Sequence, residues 1–317
     1  MSISTVSRAL KDHPDISKGT KLKVKELAAM MQYEPNNYAV QLRTRQNNVL
    51  GILIPTIDNH FYDSFIAAVE EEARVHGYSV LIMQSKDDLA IENANINLFR
   101  KNMVSGIFAS VSIETEDLSN YERMLSQKIP VVFFDRVVEL KGCTKVCLAD
   151  EAAAQIAHEA IIINKKKKVL ALFGHPHLSI TQKRARSLKN TFYSLAPKTE
   201  LRIAYPETVT ESKSVALTML LDTRNKPDTI FCMGDMILIG VMYAVHQLGL
   251  KVPEDIAVIR ISNGFIPTLY NPAITYVETS GYKLGKLAFV QMLAALKQEG
   301  IKPEVILESV LVEGGSL

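Results

Sequence analysis

From Val49 onward the chain alternates short apolar runs with longer amphipathic stretches. "VLGILIP" has the texture of a buried strand, and "FYDSFIAAVEEEARVHG" that of an amphipathic helix closed by a glycine. "YSVLIMQS", a helix around Asn93–Lys101, "VSGIFAS", a helix around Tyr121–Ser126 and "PVVFFD" extend the series. A second series opens with the helix "EAAAQIAHEAIIIN". It continues through "KKVLALFG", a helix near Arg184–Leu195, "LRIAYP", "KSVALTMLLDT", "DTIFCMG", "MILIGVMYAVHQLG" and "IAVIRIS". Strands alternating with helices predict parallel sheets built from right-handed crossovers. Two such series predict two α/β lobes with a cleft between them, at the carboxyl ends of the strands.

The first 48 residues have a different texture. "SISTVSRALKDHPDIS" predicts a short helix, with Ser2 or Ser4 as its cap, Val6 and Leu10 on one face, and Pro14-Asp15 ending it. "KGTKLKVKELAAMMQY" spaces Val24, Leu27, Ala28 and Met31 as a second helix with lysines opposite. Pro35 then breaks the chain, and "YAVQLR" reads as a linker that is helical only when something supports it.

At 317 residues, with 47% hydrophobic and 22% charged residues, the chain has ample core for two or three domains. No apolar run is long enough to span a bilayer, and the start lacks the pattern of a signal peptide. Three cysteines, Cys143, Cys147 and Cys232, fit reduced thiols in a cytoplasmic protein. Charge adds an asymmetry. Residues 1–48 hold eight basic residues against four acidic ones, so a head of +4 sits on a body of −2 in a chain of net +2. A polyanion partner explains this, and a solvated lysine-rich surface explains it equally well. No phosphate loop, nucleophile elbow or zinc-protease motif is present, and no cofactor is expected. "HPH" at His175–His177 lacks a further ligand at metal spacing and reads as a loop, "KKKK" at Lys165–Lys168 as a solvated corner, and Cys143-x-x-x-Cys147 as incidental.

Together these segments resemble the LacI/GalR family of bacterial transcription repressors along nearly the whole chain. "STVSRALKDHPDIS" resembles the family's recognition helix and following turn, and "YEPNNYAVQLR" its hinge. "LGILIPTIDNHFYDSFIAAVEEEARVHGYSVLI", "PVVFFDR", "GLKVPEDIAVI" and "NPAITYVETSGYKLGKLA" resemble later blocks in the right order. The resemblance implies a partial α-helical helix-turn-helix head (1–34), a hinge (35–48) and a two-lobed periplasmic-binding-protein-like effector domain (49–317). Within the last, it implies a first lobe of about 49–160 plus 281–305 and a second of about 161–280 plus 306–317. Family members carry a helix before the recognition helix, and Met1 falls at the turn between the two. A start codon assigned too late is the expectation that follows.

The resemblance also implies roles. Ile3, Ser4 and Arg8 would meet base edges, with Thr5, Ser7 and Lys11 near phosphates; arginine to guanine is the commonest specific contact. In the hinge, Asn36, Ala39 and Leu42 would enter the minor groove, Leu42 as the apolar wedge that opens a base step. In the cleft, Phe61, Tyr62, Asp150, Arg184, Asp235, Ser262 and Thr279 would surround the effector. Here the chain departs from the family. Ser262 stands where a carboxylate usually grips a hydroxyl, Gly234 where Asn or Ser is common, Thr279 where glutamine is common, and Ser187 where glycine is common. An unpaired Arg184 would favour a phosphorylated or acidic sugar, whereas the alternative is that Arg184 pairs with Asp150 or Asp235 and the site is empty in life.

The expected function is a cytoplasmic, homodimeric, operator-binding regulator, controlled by a sugar or sugar phosphate between the lobes, with no membrane partner. A two-fold protein suits a pseudo-palindrome. A solute-binding protein without DNA function is the alternative. An enzyme is disfavoured, because Asp150 has no evident second acid for sugar hydrolysis.

Overall fold

The computed structural model describes residues 1–31, 33 and 47–317, so the roles expected of Asn36, Ala39 and Leu42 lie outside the described residues. The chain forms two compact units, residues 1–47 and 48–317.

In the first unit, α1 (Ile3–Leu10) is followed by α2 (Lys18–Met30). Ser2, and not Ser4, caps α1 by accepting the Thr5 amide at 3.2 Å, and Ser17 caps α2 by accepting the Thr20 amide at 3.3 Å. Each serine satisfies one of the orphan donors of a first turn. Ala9 and Val24 are buried, whereas Val6 and Leu10 are only half-buried. Two lysines of α2 tie down the intervening turn. Lys21 donates to the Asp12 carbonyl at 2.9 Å, and Lys25 to the Asp12 carboxylate at 2.7 Å.

The second unit holds two sheets of one topology. The first contains β1 (Val49–Ile54), β2 (Ser79–Gln84), β3 (Gly106–Ala109), β4 (Val131–Phe134), β5 (Thr144–Leu148) and β11 (Glu304–Leu307). Its order is β11-β5-β4-β3-β1-β2, with every pair parallel. The second contains β6 (Lys168–Leu172), β7 (Glu200–Ala204), β8 (Thr229–Cys232), β9 (Ala257–Ser262), β10 (Thr275–Glu278) and β12 (Leu311–Val312). Its order is β12-β10-β9-β8-β6-β7, parallel except where β12 meets β10. β1, β3, β4 and β6 are apolar and buried along most of their length, as strands covered on both faces must be. In each sheet the order reverses beside the first strand, which opens a crevice at the carboxyl ends.

The first sheet is flanked by α3 (His60–Val75), α4 (Leu89–Lys101), α5 (Ser119–Ser126) and α10 (Gly281–Lys297). α10 packs on α3 at close range, because Gly281 and Gly285 present no side chain there. A Cβ on Gly281 would stand 2.2 Å from the Phe61 carbonyl oxygen. The second sheet is flanked by α6 (Asp150–Ile163), α7 (Ser179–Leu195), α8 (Val209–Leu221) and α9 (Asp235–Gln247).

Several expected boundaries move. α6 packs Ala153, Ala154, Ala157 and Ile161 into the core of the second lobe, in keeping with the helix that opens the second series, so the first crossing falls at Ala149 and not near the residue 160 that the resemblance implied. β11 stays in the first sheet through Leu307, and the last crossing follows it, later than the expected 305/306. Helical periodicity reveals that a face is buried without saying which sheet buries it. α4 begins at Leu89, a turn before Asn93, because Asp88 accepts the Ile91 amide at 2.9 Å. Cys143 lies just before β5 and Cys147 within it; both thiols are buried, and burial pushes each up to about 12.

Candidate functional site

A cavity of about 460 Å³ opens between the two lobes, lined by the segments that follow the carboxyl ends of strands in both sheets. Of the residues expected around an effector, Phe61, Tyr62, Arg184, Asp235, Ser262 and Thr279 line it. Asp150 does not. It lies beneath, at the start of α6, accepting from Arg184 through Nη2 at 2.7 Å and Nε at 3.0 Å. The expectation of an unpaired Arg184 therefore gives way to the paired arrangement. Burial pushes the Asp150 carboxyl above its usual value, and the adjoining Arg184 works against that shift. Arg184 also donates to the Met233 carbonyl at 3.3 Å, which ties α7 to the end of β8.

A second buried arginine faces the same space. Arg260 on β9 pairs with Asp235 at the start of α9, while its Nε and Nη2 fold onto the Ile261 carbonyl at 3.0 and 2.6 Å. Burial pulls its pKa down to about 9, which still leaves it charged at neutral pH. Ser262 donates to the same Asp235 oxygen at 3.2 Å and accepts the Gly264 amide at 2.9 Å. Thus the serine in the usual carboxylate's place becomes a brace for Asp235. Thr279 is 5% exposed, and its hydroxyl has no hydrogen-bond partner among the described residues. Ser187 donates to the Glu151 carbonyl at 2.7 Å and so links α7 to α6 away from the cavity.

On the first lobe, Asn59 caps α3 by accepting the Phe61 amide at 2.8 Å, which fixes Phe61 at the mouth. Tyr62 is mostly core, its ring edge-on to Phe134. Its hydroxyl donates to Asp135 at 2.7 Å and lies 3.1 Å from the Ser110 hydroxyl. Burial and the charge of Asp135 push the phenol well above its ordinary value, so it remains a donor. Asp135 follows β4 with φ of 57°, a left-handed conformation that aspartate tolerates better than most residues. Arg136 beside it pairs with Asp87. Across the mouth, the Asn263 amide donates to the His60 carbonyl at 2.7 Å, and the His60 ring stands edge-on to Phe265.

Asp135, Arg136, Asp87 and Arg260 were not expected at the site. The signal for Arg260 was a lone charge inside the apolar run "IAVIRIS", and for Asp135-Arg136 a charged pair directly after "PVVFF". His175 also lines the cavity, 3.8 Å from Glu207. No cluster among the described residues is arranged to hold a metal ion, and no described helix is long and apolar enough to cross a membrane.

On the head, Ile3, Ser4, Arg8 and Lys11 are exposed, and Thr5 and Ser7 are half-buried. Ser4 and Arg8, one turn apart, share an outward face of α1, and Arg8 comes within 3.8 Å of Asp15. The Thr5 hydroxyl is engaged with Ser2 at 2.9 Å.

Residues 1–36 match the model of bacterial regulatory proteins of the lacI family, and residues 162–317 that of a periplasmic binding protein-like domain. The ribose operon repressor of Bacillus subtilis (strain 168) is 28% identical over 309 residues, covering 96% of this chain and 91% of that protein. Catabolite control protein A of Priestia megaterium is 25% identical over 308 residues, covering 96% and 92%. The Lac repressor dimer bound to operator and the anti-inducer ONPF shares the fold with a TM-score of 0.87 at 19% identity, covering 100% of this chain and 95% of that one. A periplasmic binding protein/LacI transcriptional regulator from Alkaliphilus metalliredigens QYMF, complexed with D-xylulofuranose, superimposes with a TM-score of 0.72 at 20% identity, over 85% and 99%. These relatives are transcriptional regulators and not enzymes. The chain thus joins a lacI-family head domain to a periplasmic-binding-protein-like body, and along nearly its whole length it is similar to LacI-family transcriptional regulators.

Proposed function

We propose that this regulator acts in the cytoplasm as a homodimer whose operator affinity is set by a small hydroxylated ligand held between its lobes. The observation that carries the ligand half is the interlobe cavity, where buried arginine–carboxylate pairs and the unpartnered Thr279 hydroxyl present donors and acceptors side by side. Sugar hydroxyls both donate and accept, so such pairs suit them. Arg184, Asp235, Ser262 and Thr279 contact the ligand from one lobe, Phe61 covers an apolar ring face from the other, and Asp150 and Tyr62 hold their neighbours in place. The relatives that bind operator or sugar support the same reading.

On DNA, Ile3, Ser4 and Arg8 read base edges while Thr5, Ser7 and Lys11 contact phosphates. Asn36, Ala39 and Leu42 form the minor-groove contact, with Leu42 as the wedge. Closing the cleft shifts the first lobes of the two subunits, and only one spacing lets both hinges order together. A coupling of about 1–3 kcal/mol is the ordinary scale for such a link.

Mobility shift on genomic fragments, with and without a panel of sugars, tests this. Specific fragments should be retained, and one class of sugar should change their affinity. Arg8→Ala should weaken the specific complex by about 1–3 kcal/mol, relax the preference at one base pair and leave non-specific binding nearly intact. Uniform weakening on every sequence would make Arg8 a phosphate contact. A chain that retains no fragment under any condition, even when joined to the helix that family members carry before the recognition helix, would favour the solute-binding alternative.

A further inference from the structure

We propose, resting on the sugar-like reading above, that the cleft selects a hydroxylated ligand bearing an amino group and rejects anionic ones, with Asp135 as the amine's partner. Six carboxylates line the cavity against three guanidinium groups. All three guanidiniums are already committed: Arg136 to Asp87, Arg184 to Asp150, and Arg260 to Asp235 and the Ile261 carbonyl. A phosphate would have to break one of these pairs, or settle beside an uncompensated carboxylate in a partly desolvated space. Both are unfavourable, because a buried pair that loses a partner leaves a bare charge.

The surplus is of the other sign. Asp135 accepts the Tyr62 hydroxyl on one oxygen, and no described residue forms a salt bridge with it. The Asp58 carboxylate lies in the same lining with no ion pair among the described residues. Asp135 is the better placed of the two. Tyr62 orients it, its left-handed backbone fixes it at the end of β4, and it faces a cavity whose opposite wall carries the unpartnered Thr279 hydroxyl. An ammonium against Asp135 gains a charge-assisted hydrogen bond where water is scarce. The hydroxyls of the same ligand are left to Thr279, Ser262 and the paired arginines.

Calorimetric titration of the full chain tests this with glucose, galactose, glucosamine, galactosamine and the two hexose 6-phosphates, at about pH 6.5, where an ordinary amine is charged. An amino sugar should bind about tenfold tighter than its neutral parent, and neither phosphate should give a binding isotherm. Asp135→Asn, which still accepts the Tyr62 hydroxyl, should bring the amino sugar down to its parent's affinity. Raised salt should weaken amino-sugar binding to the unaltered chain and spare the neutral sugar, a readout that does not depend on the variant folding. A phosphate binding as tightly as its parent, an amino sugar with no advantage, or an advantage that survives Asp135→Asn would overturn the proposal and leave the sugar reading standing. Silence from all six sugars would overturn both.

Discussion

The two lobes share a strand order yet bury polar groups in different ways. In the first, Glu92 on α4 is fully buried and surrounded by neutral donors. It accepts the Ser112 amide at 2.6 Å, the Thr115 hydroxyl at 3.0 Å and the Tyr121 hydroxyl at 3.0 Å. In the second, Asp150 and Asp235 each face an arginine. Neutral donors reach Glu92 from the loop after β3 and from α5, so this network fixes the loop that carries Ile113 into the cleft. The arginine pairs do something else. They set charge inside the cleft itself, and they join α6 to α7 and α9 to β9 by contacts that fail as a unit when either partner is lost.

The largest break in this comparison is expected at the ion pair. Asp150→Ala should lower unfolding stability by about 3–5 kcal/mol, because Arg184 is left buried and unpaired. Chemical denaturation measures it. The double variant Asp150→Leu with Arg184→Met should recover much of the loss, and a double variant as unstable as the single one would show that the charge is not the cause. Glu92→Gln should cost less, roughly 2–3 kcal/mol, since the amide keeps the shape but turns a donor toward a donor. Faster amide exchange over residues 112–115 should accompany it. A neutral effect would mean that the loop is held by its backbone alone.

The smallest test sharpens the comparison with a titrating group. His158 on α6 is buried in the second lobe between the rings of Phe192 and Phe231, and both ring nitrogens lack a hydrogen-bond partner among the described residues. Burial pulls its pKa from 6.5 down to about 3. The unfolded chain therefore takes up the proton first as pH falls. Stability is unaffected by this group above pH 6.5 and is lost between there and about pH 3, by about 1.4 kcal/mol per pH unit. His158→Phe should flatten this part of the acid limb, leaving the variant about 2 kcal/mol less acid-sensitive at pH 5 relative to pH 7.5. An unchanged acid limb would mean that the imidazole is protonated in the fold.

The sequence by itself determined a great deal. Strand and helix periods laid out two parallel sheets, because a buried parallel strand must be apolar along its length and its crossover helix must be apolar on one stripe. Six segments in order pointed to the family, and the loops after the strands brought Phe61, Arg184, Asp235, Ser262 and Thr279 to one cavity. Tertiary structure alone decided the rest. It kept β11 in the first sheet through Leu307, since periodicity marks a buried face without naming what buries it. It also decided which charge neutralises which. Arg184 meets Asp150 across 34 positions of chain and Arg260 meets Asp235 across 25. Such pairings depend on how crossovers converge in space, and no local pattern encodes that convergence. The cleft's sign of charge is therefore a property of the fold: the same residues counted along the chain look like free arginines, and brought together they leave only carboxylates unpaired.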